Sequence, residues 1–369
     1  MTSVRRESST IHRDSAVSLV SKRLTAVVMS YVLLLLALVA CGDSSSASKP
    51  PRSFGGATMG STWIVKIPES ALEGKNVDGL FAGAKAVLKA VNAEMSTYLP
   101  NSELSRFNAS SSTDWQACST DLAGVVKRSL AIGVESGGAM DVTLGPVVNL
   151  WGFGPGNPKR EVPHDAALTL ARERTGLDRL KFRVEPPALR KTHSSLYVDL
   201  SASAKGHGVD RVAMFLESEG IHSYFVEVGG ELRARGKKDN GSPWRVAIER
   251  PQDIGRGLQR LIEIGDRAIA TSGDYRNFFK EEGRRFSHTI DPRTGRPVVH
   301  SLASVSVVHE RCESADAWAT ALMVLGPVKG YELALERNLV AFFIVRRESG
   351  FEELRSPAFD QLFGKERKE

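Results

Sequence analysis

Cysteine is scarce in this 369-residue chain, which contains three. Cys41 ends an apolar run near the amino terminus, so only Cys118 and Cys312 remain for the rest of the chain. They are too few and too far apart for a zinc site, and no Cys-x-x-Cys pair occurs. The sequence leaves open whether these two thiols form a disulfide or stay free.

The common motifs for nucleotide binding and hydrolysis are also missing. Gly206-His207-Gly208 lacks the third glycine of a dinucleotide fingerprint, and there is no Gly-x-x-x-x-Gly-Lys-Ser/Thr loop. His-Glu-x-x-His and Gly-x-Ser-x-Gly motifs do not occur either. Any phosphate-binding site in this chain must therefore use a different scaffold.

Basic clusters interleaved with aromatic residues are absent as well. The net charge of the whole chain is +6, and loss of residues 1–40 would remove five basic and two acidic residues to leave +3. Arg284-Arg285 and Arg346-Arg347 are isolated pairs, which are typical of solvated strand or loop edges. The sequence therefore argues against nucleic acid as a partner.

The amino-terminal segment has the pattern of an export signal. Lys22 and Arg23 precede the apolar run 24–40, and Leu38-Val39-Ala40-Cys41 resembles a bacterial lipobox. The lipobox resemblance implies that Cys41 becomes the lipidated first residue. A run of this length is also at the lower limit for crossing a bilayer, so an uncleaved membrane anchor is the alternative. Both place the remaining chain outside the cytoplasm on a membrane, and we expect the periplasmic side of the inner membrane.

These features predict three parts of the chain. Residues 1–40 form the signal peptide, residues 41–53 a lipidated and flexible tether rich in Ser, Ala, Lys and Pro, and residues 54–365 the functional domain. The last part is long enough for one large domain or for two fused subdomains.

The hydrophobic pattern of the domain is mixed. Helical spacing of apolar residues predicts helices at 77–95, 122–136, 206–219, 315–325 and 328–337. Alternating patterns predict strands at 63–67, 197–200, 224–228, 232–235, 245–248, 258–264, 303–308 and 339–345. The strands come in runs with hairpin-like turns and do not alternate strictly with helices. This favours an α+β fold with mainly antiparallel sheets and packed helices.

The helix predicted at 315–325 carries two hard oxygen ligands on one face. Asp316 and Thr320 are four residues apart and therefore lie one above the other. Such a pair suits Mg²⁺, which completes its octahedron with water, carbonyl oxygens and substrate phosphates. An Asp in a first helical turn can instead stabilise the helix dipole, and a Thr can bond back to a carbonyl, so both explanations remain open.

Five motifs then follow in a specific order between residues 95 and 320. They are Met95–Tyr98 with Ser102–Asn108, Asp199–Ser201 with Lys205-Gly206, Ser272–Tyr275, Ser287–Gly295 and Ala315–Thr320. In this order they resemble the FAD:protein FMN transferase family, also called ApbE. A lipoprotein signal fits this resemblance, because members of this family are often exported and tethered.

The resemblance implies transfer of FMN from FAD to a Thr or Ser hydroxyl of an acceptor protein, with release of AMP and a requirement for Mg²⁺. Mn²⁺ would suit the same oxygen ligands. The FAD contacts that it implies are Met59, Tyr98, Ala139, Met140, Asp141, Asp199, Lys205 and Ile290. The metal contacts that it implies are the carbonyl of Ala202 and the side chains of Asp316 and Thr320. Some relatives carry an acidic residue where Ala319 stands, so this chain lacks one possible ligand of a second metal ion.

The acceptor hydroxyl must lose a proton, and a histidine is suited to accept it near neutral pH. We therefore take His288 as the general base, with Asp274 as the alternative base or as an orienting residue. His288 could instead orient the turn at Asp291. Two other functions remain open, namely a Mg²⁺-dependent FAD pyrophosphatase that uses water as acceptor and a periplasmic FAD-binding protein without turnover.

Overall fold

The computed structural model describes residues 49–155, 159–252 and 257–364. The predicted signal peptide and Cys41 lie outside the described residues. The first strand begins at Arg52, which pairs with Ile67, so the last two residues of the predicted tether belong to the folded domain. Among the described residues, no helix combines the length and apolarity needed to cross a bilayer. These residues form one domain.

An eight-stranded sheet organises the domain, in the order β1-β2-β6-β7-β10-β15-β16-β17. Its strands are β1 Arg52–Thr58, β2 Ser61–Ile67, β6 Tyr224–Val228, β7 Glu231–Arg235, β10 Ala268–Gly273, β15 Leu302–His309, β16 Val340–Arg347 and β17 Gly350–Arg355. Every neighbouring pair is antiparallel. The predicted α+β class with mainly antiparallel pairing is therefore confirmed.

Shorter strands form small sheets around this one. They are β3 Gln116–Ala117, β4 Leu180–Val184, β5 Pro187–Lys191, β8 Arg245–Arg250, β9 Gly257–Glu263, β11 Phe278–Glu281, β12 Arg284–Ser287, β13 Ile290–Asp291 and β14 Arg296–Pro297. The hairpins β8–β9, β11–β12 and β13–β14 are antiparallel as well.

Short polar side chains cap the start of four helices of the described chain. The helices are α1 Val77–Met95, α2 Glu103–Ala109, α3 Thr120–Glu135, α4 Gly145–Leu150, α5 Asp165–Arg172, α6 Ala204–Ser218, α7 Cys312–Glu336 and α8 Pro357–Phe363. Those with such a cap are α1, α2, α3 and α8. Asn76 accepts the backbone N–H of Gly79 at the start of α1, and Ser119 accepts that of Leu122 at the start of α3. Helix α1 has the bounds that the sequence predicted.

Helix α7 is bent at Gly326, which has φ 79° and is followed by Pro327. Only glycine adopts this conformation readily, and proline cannot continue the hydrogen bonding of the preceding turn. The two helices predicted on either side of this point are thus confirmed as two segments of one bent element.

The two faces of the large sheet bury different cores because successive side chains of a strand point to opposite sides. In β2, Trp63 and Val65 pack towards α1 and α6, whereas Ile64 packs on the other face. That second face is covered by the β8–β9 hairpin and α8. Helix α7 packs with α3 against β15 and β16, in the largest buried cluster of the domain.

Residues 197–200 do not form the strand that their sequence predicts. The side chain of Asn108 takes the place of a neighbouring strand, since its amide donates to the Val198 carbonyl and its carbonyl accepts the Val198 N–H, both at 2.8 Å. Asp199 in turn donates its N–H to the Val142 carbonyl at 2.7 Å. A side chain distant in sequence thus holds this extended segment.

Candidate functional site

A cavity of about 1500 Å³ opens at one end of the large sheet. This exceeds the roughly 300–1000 Å³ of ordinary small-ligand pockets and leaves room for an extended ligand. Its wall contains predicted site residues from many separate segments, namely Met59, Tyr98, Ala139, Met140, Asp141, Asp199, Ala202, Lys205, His288, Ile290, Asp316 and Thr320. The fold therefore brings these residues around one space, although they are spread over more than 250 positions of sequence.

Close approach of α6 to α7 creates the polar centre of this cavity. A Cβ atom on Gly206 would lie 2.4 Å from the carbonyl oxygen of Cys312, so only glycine permits this contact. The Gly206 N–H donates to Oδ2 of Asp316 at 3.2 Å. Lys205 at the start of α6 and Asp316 near the start of α7 are thereby held together.

Glu231 completes this charged group and was missed from sequence. Its Oε1 accepts a hydrogen bond from Nζ of Lys205 at 2.5 Å, while its Oε2 has no hydrogen-bond partner among the described residues. Burial raises the pKa of Glu231 to about 7, and Lys205 counteracts part of that rise. The sequence contains a signal for Glu231 in Gly229-Gly230-Glu231, but two consecutive glycines are also typical of an ordinary hairpin turn.

The same burial acts on the other two groups. It raises the pKa of Asp316 above its ordinary value, although the Lys205 ammonium and the Gly206 N–H lower it. Burial alone would lower the pKa of Lys205, but the carboxylates of Asp316 and Glu231 raise it above its ordinary value. Two buried carboxylates thus share one ammonium, and this excess of negative charge suits a further cation.

The residues present fit a magnesium ion. Thr320 lies one turn after Asp316 on α7, and its Oγ1 is 3.3 Å from Oγ of Ser272. Ala202 lines the cavity in the turn before α6. This donor set consists of a carboxylate, a hydroxyl and a backbone carbonyl, which are the hard oxygen ligands that Mg²⁺ prefers.

Two acidic residues and an aromatic residue line another part of the cavity. Asp141 is fixed by Thr143, whose N–H and hydroxyl both donate to Oδ1 at 2.7 and 2.6 Å. Asp199 accepts the N–H of Ser201 at 2.9 Å. Tyr98 is 66% exposed, so its ring is available to a ligand at the cavity mouth.

His288 lies in the cavity wall with one ring nitrogen oriented by the main chain. Its Nδ1 is 3.1 Å from the carbonyl oxygen of Asn277, and Phe153 contacts the ring edge-on at 6.3 Å between centroids. Burial lowers the pKa of His288, against the opposing effect of the Asn277 carbonyl. A neutral ring that donates from Nδ1 to this carbonyl keeps a lone pair on Nε2.

The structure gives no support to the alternative that His288 orients the turn at Asp291. The Asp291 carboxylate instead accepts from the backbone N–H and the guanidinium of Arg293, at 2.9 and 2.8 Å. The bond of His288 goes to Asn277, on the neighbouring loop.

Asp274 does not suit the role of base that the sequence suggested for it. Arg346 binds both of its carboxylate oxygens, at 2.6 and 2.9 Å, and Asp274 is not among the residues that line the cavity. Its neighbours Gly273 and Tyr275 do line it. Both oxygens of this carboxylate are engaged by the guanidinium and neither faces the cavity wall, so we assign Asp274 a structural role.

A protein-family model described as the ApbE family matches residues 59–344. The chain belongs to this family. FAD:protein FMN transferase of Vibrio cholerae serotype O1 is 43% identical over 90% of this chain and 99% of its own length. The protein of the same name from Salmonella typhimurium is 39% identical over 90% and 95%.

Solved structures of ApbE proteins share this fold. The flavin transferase ApbE from Vibrio cholerae has a TM-score of 0.77 at 42% identity, over 85% of this chain and 100% of that one. The apo form of the Pseudomonas stutzeri flavinyl transferase ApbE has a TM-score of 0.78 at 39% identity, over 86% and 98%. The family that the ordered motifs indicated is thus confirmed.

Proposed function

We propose that this chain transfers FMN from FAD to a Thr or Ser hydroxyl of an acceptor protein. The hydroxyl oxygen forms a bond to the FMN phosphorus, the phosphoanhydride bond breaks, and AMP leaves. The names of the relatives support this reaction, since those relatives span nearly the whole chain. The observation that carries the proposal is the presence of Lys205, Asp316 and His288 in the wall of a single large cavity.

We further propose that Mg²⁺ is required and is held by Asp316, Thr320 and the Ala202 carbonyl, with Mn²⁺ as a chemically similar substitute. When bound, the ion would neutralise the negative charge of the pyrophosphate and the charge that develops on the AMP leaving group. The buried negative charge of Asp316 and Glu231 beside one lysine supports this assignment.

The side chains around this centre divide the remaining work. Lys205, fixed by Glu231, is the cation that the chain itself presents to a phosphate in the cavity. His288 accepts the hydroxyl proton at Nε2, because its Nδ1 is engaged with Asn277. Tyr98 and the segment 139–141 are expected to contact FAD, together with Met59, Asp199 and Ile290.

We propose that the protein works outside the cytoplasm, anchored by lipid at Cys41 to the periplasmic side of the inner membrane. This rests on the apolar run 24–40 and on the Leu38–Cys41 motif. The acceptor is then an exported and membrane-associated protein. Loss of the lipid signal in a Cys41→Ala chain, measured by metabolic labelling with a fatty acid, tests this part separately.

One incubation distinguishes the three candidate activities. The purified domain is mixed with FAD, Mg²⁺ and a candidate acceptor, and both AMP and the flavin fluorescence of the denatured acceptor are measured. FMN transfer predicts both products. AMP without a fluorescent acceptor indicates a pyrophosphatase, and neither product together with retained FAD indicates a binding protein, so either result contradicts transfer.

A further inference from the structure

Behind the cavity, three helices bring together a second group of possible metal ligands. Glu94 of α1, Asp121 of α3 and His207 of α6 each offer one ligand atom, and these atoms all lie within 4.8 Å of one another. None of the three lines the cavity. From this arrangement we propose that Glu94, Asp121 and His207 bind a divalent transition-metal ion, with zinc as the best match, that joins α1, α3 and α6.

The histidine of this group is buried and its outer nitrogen has no partner. His207 is 2% exposed, and its Nε2 forms no hydrogen bond with any described residue. An Oε2 atom of Glu94 is likewise buried without a partner among those residues. Nη1 of Arg211, beside Asp121, is a third buried atom without a hydrogen-bond partner among those residues. Because buried polar atoms are satisfied in nearly all folded proteins, two unpartnered acceptors in one cluster favour a further cation there.

The other ring nitrogen of His207 has the environment of a metal-binding histidine. Its Nδ1 lies 3.1 Å from Oε2 of Glu313, and Glu313 is itself held by two bonds of 2.7 Å from Arg128. A carboxylate that accepts Nδ1–H fixes the tautomer and leaves the Nε2 lone pair free for a metal. One ring nitrogen of His207 lies within 4.8 Å of a carboxylate oxygen of Glu94 and of a carboxylate oxygen of Asp121. Nε2 is the ring nitrogen that the bond to Glu313 leaves free for a ligand.

Acceptors that face one another need a cation between them. Arg211 already supplies part of this charge, since its guanidinium pairs with Oδ2 of Asp121. Burial still raises the pKa of Glu94, although Arg211 and His207 lower it and Glu103 raises it further. Two carboxylates, Glu94 and Asp121, thus lie near one guanidinium, and a divalent ion would balance the second carboxylate.

The ligand types favour zinc over magnesium. One imidazole with carboxylates is a borderline-soft set that Zn²⁺ accepts in tetrahedral geometry, with water in a remaining position. Ligand atoms on such an ion lie roughly 3.3 Å apart for bonds of about 2.0–2.1 Å. The ligand atoms of Glu94, Asp121 and His207 lie within 4.8 Å of one another, so the proposal requires them to move closer together when zinc binds.

Such an ion would stabilise the elements that carry the cavity residues. His207 follows Lys205 by two positions on α6, and Met95, which lines the cavity, follows Glu94 on α1. Bound zinc would therefore add to the free energy of unfolding of the domain without taking part in the chemistry.

Zinc titration of the tag-free exported chain tests this proposal. Bound metal is first removed, and zinc binding is then measured by calorimetry and by the shift in unfolding temperature. The Asp316→Asn variant lacks the proposed magnesium site, so any zinc that this variant still binds occupies a different site. We expect one equivalent to persist in Asp316→Asn and to raise the unfolding temperature. We expect Glu94→Gln and Asp121→Asn, added to that variant, to weaken this binding at least ~10-fold. Glu332→Gln, an exposed change on α7, is the matched control.

Two outcomes overturn the proposal. One is the absence of any zinc equivalent in Asp316→Asn, and the other is equal zinc affinity in Asp121→Asn and the Glu332→Gln control. Either result assigns the cluster to an ion-pair network without a metal ion. Zinc X-ray absorption of the loaded Asp316→Asn chain must show an imidazole ligand, and a spectrum with oxygen ligands alone contradicts the site independently of whether the other variants fold.

Discussion

The backbone N–H of Gly206 donates to the carboxylate of Asp316 at 3.2 Å, and this bond joins the start of α6 to the start of α7. It places the cation Lys205 beside the proposed magnesium ligand. The arrangement depends on a residue without a side chain, because the Cys312 carbonyl occupies the space that a Cβ would need.

Replacement of Gly206 by alanine is expected to separate the two helices. The added Cβ would meet backbone atoms, which cannot move aside as a flexible side chain would. We expect a loss of about 1–3 kcal/mol in the free energy of unfolding and a weaker apparent affinity for Mg²⁺. Urea unfolding and a magnesium titration of FMN transfer measure the two effects. Gly124→Ala is the control, because this glycine lies in helix α3 and a Cβ there would meet only the end of the Arg128 side chain.

Asp274→Asn separates the structural role of this carboxylate from a role in proton transfer. The variant weakens the paired hydrogen bonds with Arg346 and is expected to lower the free energy of unfolding by about 1–3 kcal/mol. Transfer by the folded fraction should stay within a few-fold of the original rate. A loss of kcat comparable to that of His288→Asn, with unchanged stability, would restore Asp274 as a base.

His288→Asn is expected to slow FMN transfer by about 10²–10⁴-fold, because the acceptor hydroxyl loses its proton acceptor. FAD binding should change little, since asparagine keeps an N–H donor for the Asn277 carbonyl and introduces no charge. Single-turnover transfer and an FAD binding isotherm measure the two quantities. Equal transfer rates in the variant and the original protein would show that His288 is not the general base.

The pH dependence of transfer provides a separate test of the same residue. Burial lowers the pKa of His288 below the ordinary histidine value, so the ring stays neutral and able to accept a proton down to a lower pH. Transfer should therefore fall only as the pH drops through this lowered pKa, and the descending limb should vanish in His288→Asn. A limb with the same midpoint in both proteins would assign the titration to another group.

Sequence patterns predicted the four longest described helices, α1, α3, α6 and α7, and seven of the described strands, because these elements have a clear local spacing of apolar residues. Helix Val77–Met95 has an apolar stripe and a capping Asn76, and both signals are readable without the fold. The prediction of a strand at 197–200 was wrong, because the side chain of Asn108, some 90 positions earlier, forms the backbone hydrogen bonds of Val198 that a neighbouring strand would form. No local pattern contains that contact.

The site residues that belong to specific motifs were predictable from the sequence. Those whose role depends on where the side chain points in the folded protein were not. Asp274 lies between two cavity residues, yet its side chain turns towards Arg346. Glu231 follows two glycines in a turn, and only the three-dimensional fold brings it to Lys205. The orphan nitrogen of His207 likewise becomes visible only when three helices are assembled.

The central claim is that the buried carboxylate of Asp316 holds the cation on which phosphoryl transfer depends. The most direct test is a magnesium titration of AMP release and acceptor flavinylation by Asp316→Asn, beside Glu332→Gln as the control. We predict that both products fall by about 10³-fold or more, at every magnesium concentration, while FAD still binds. Transfer by Asp316→Asn with an unchanged rate and an unchanged magnesium dependence would contradict the account.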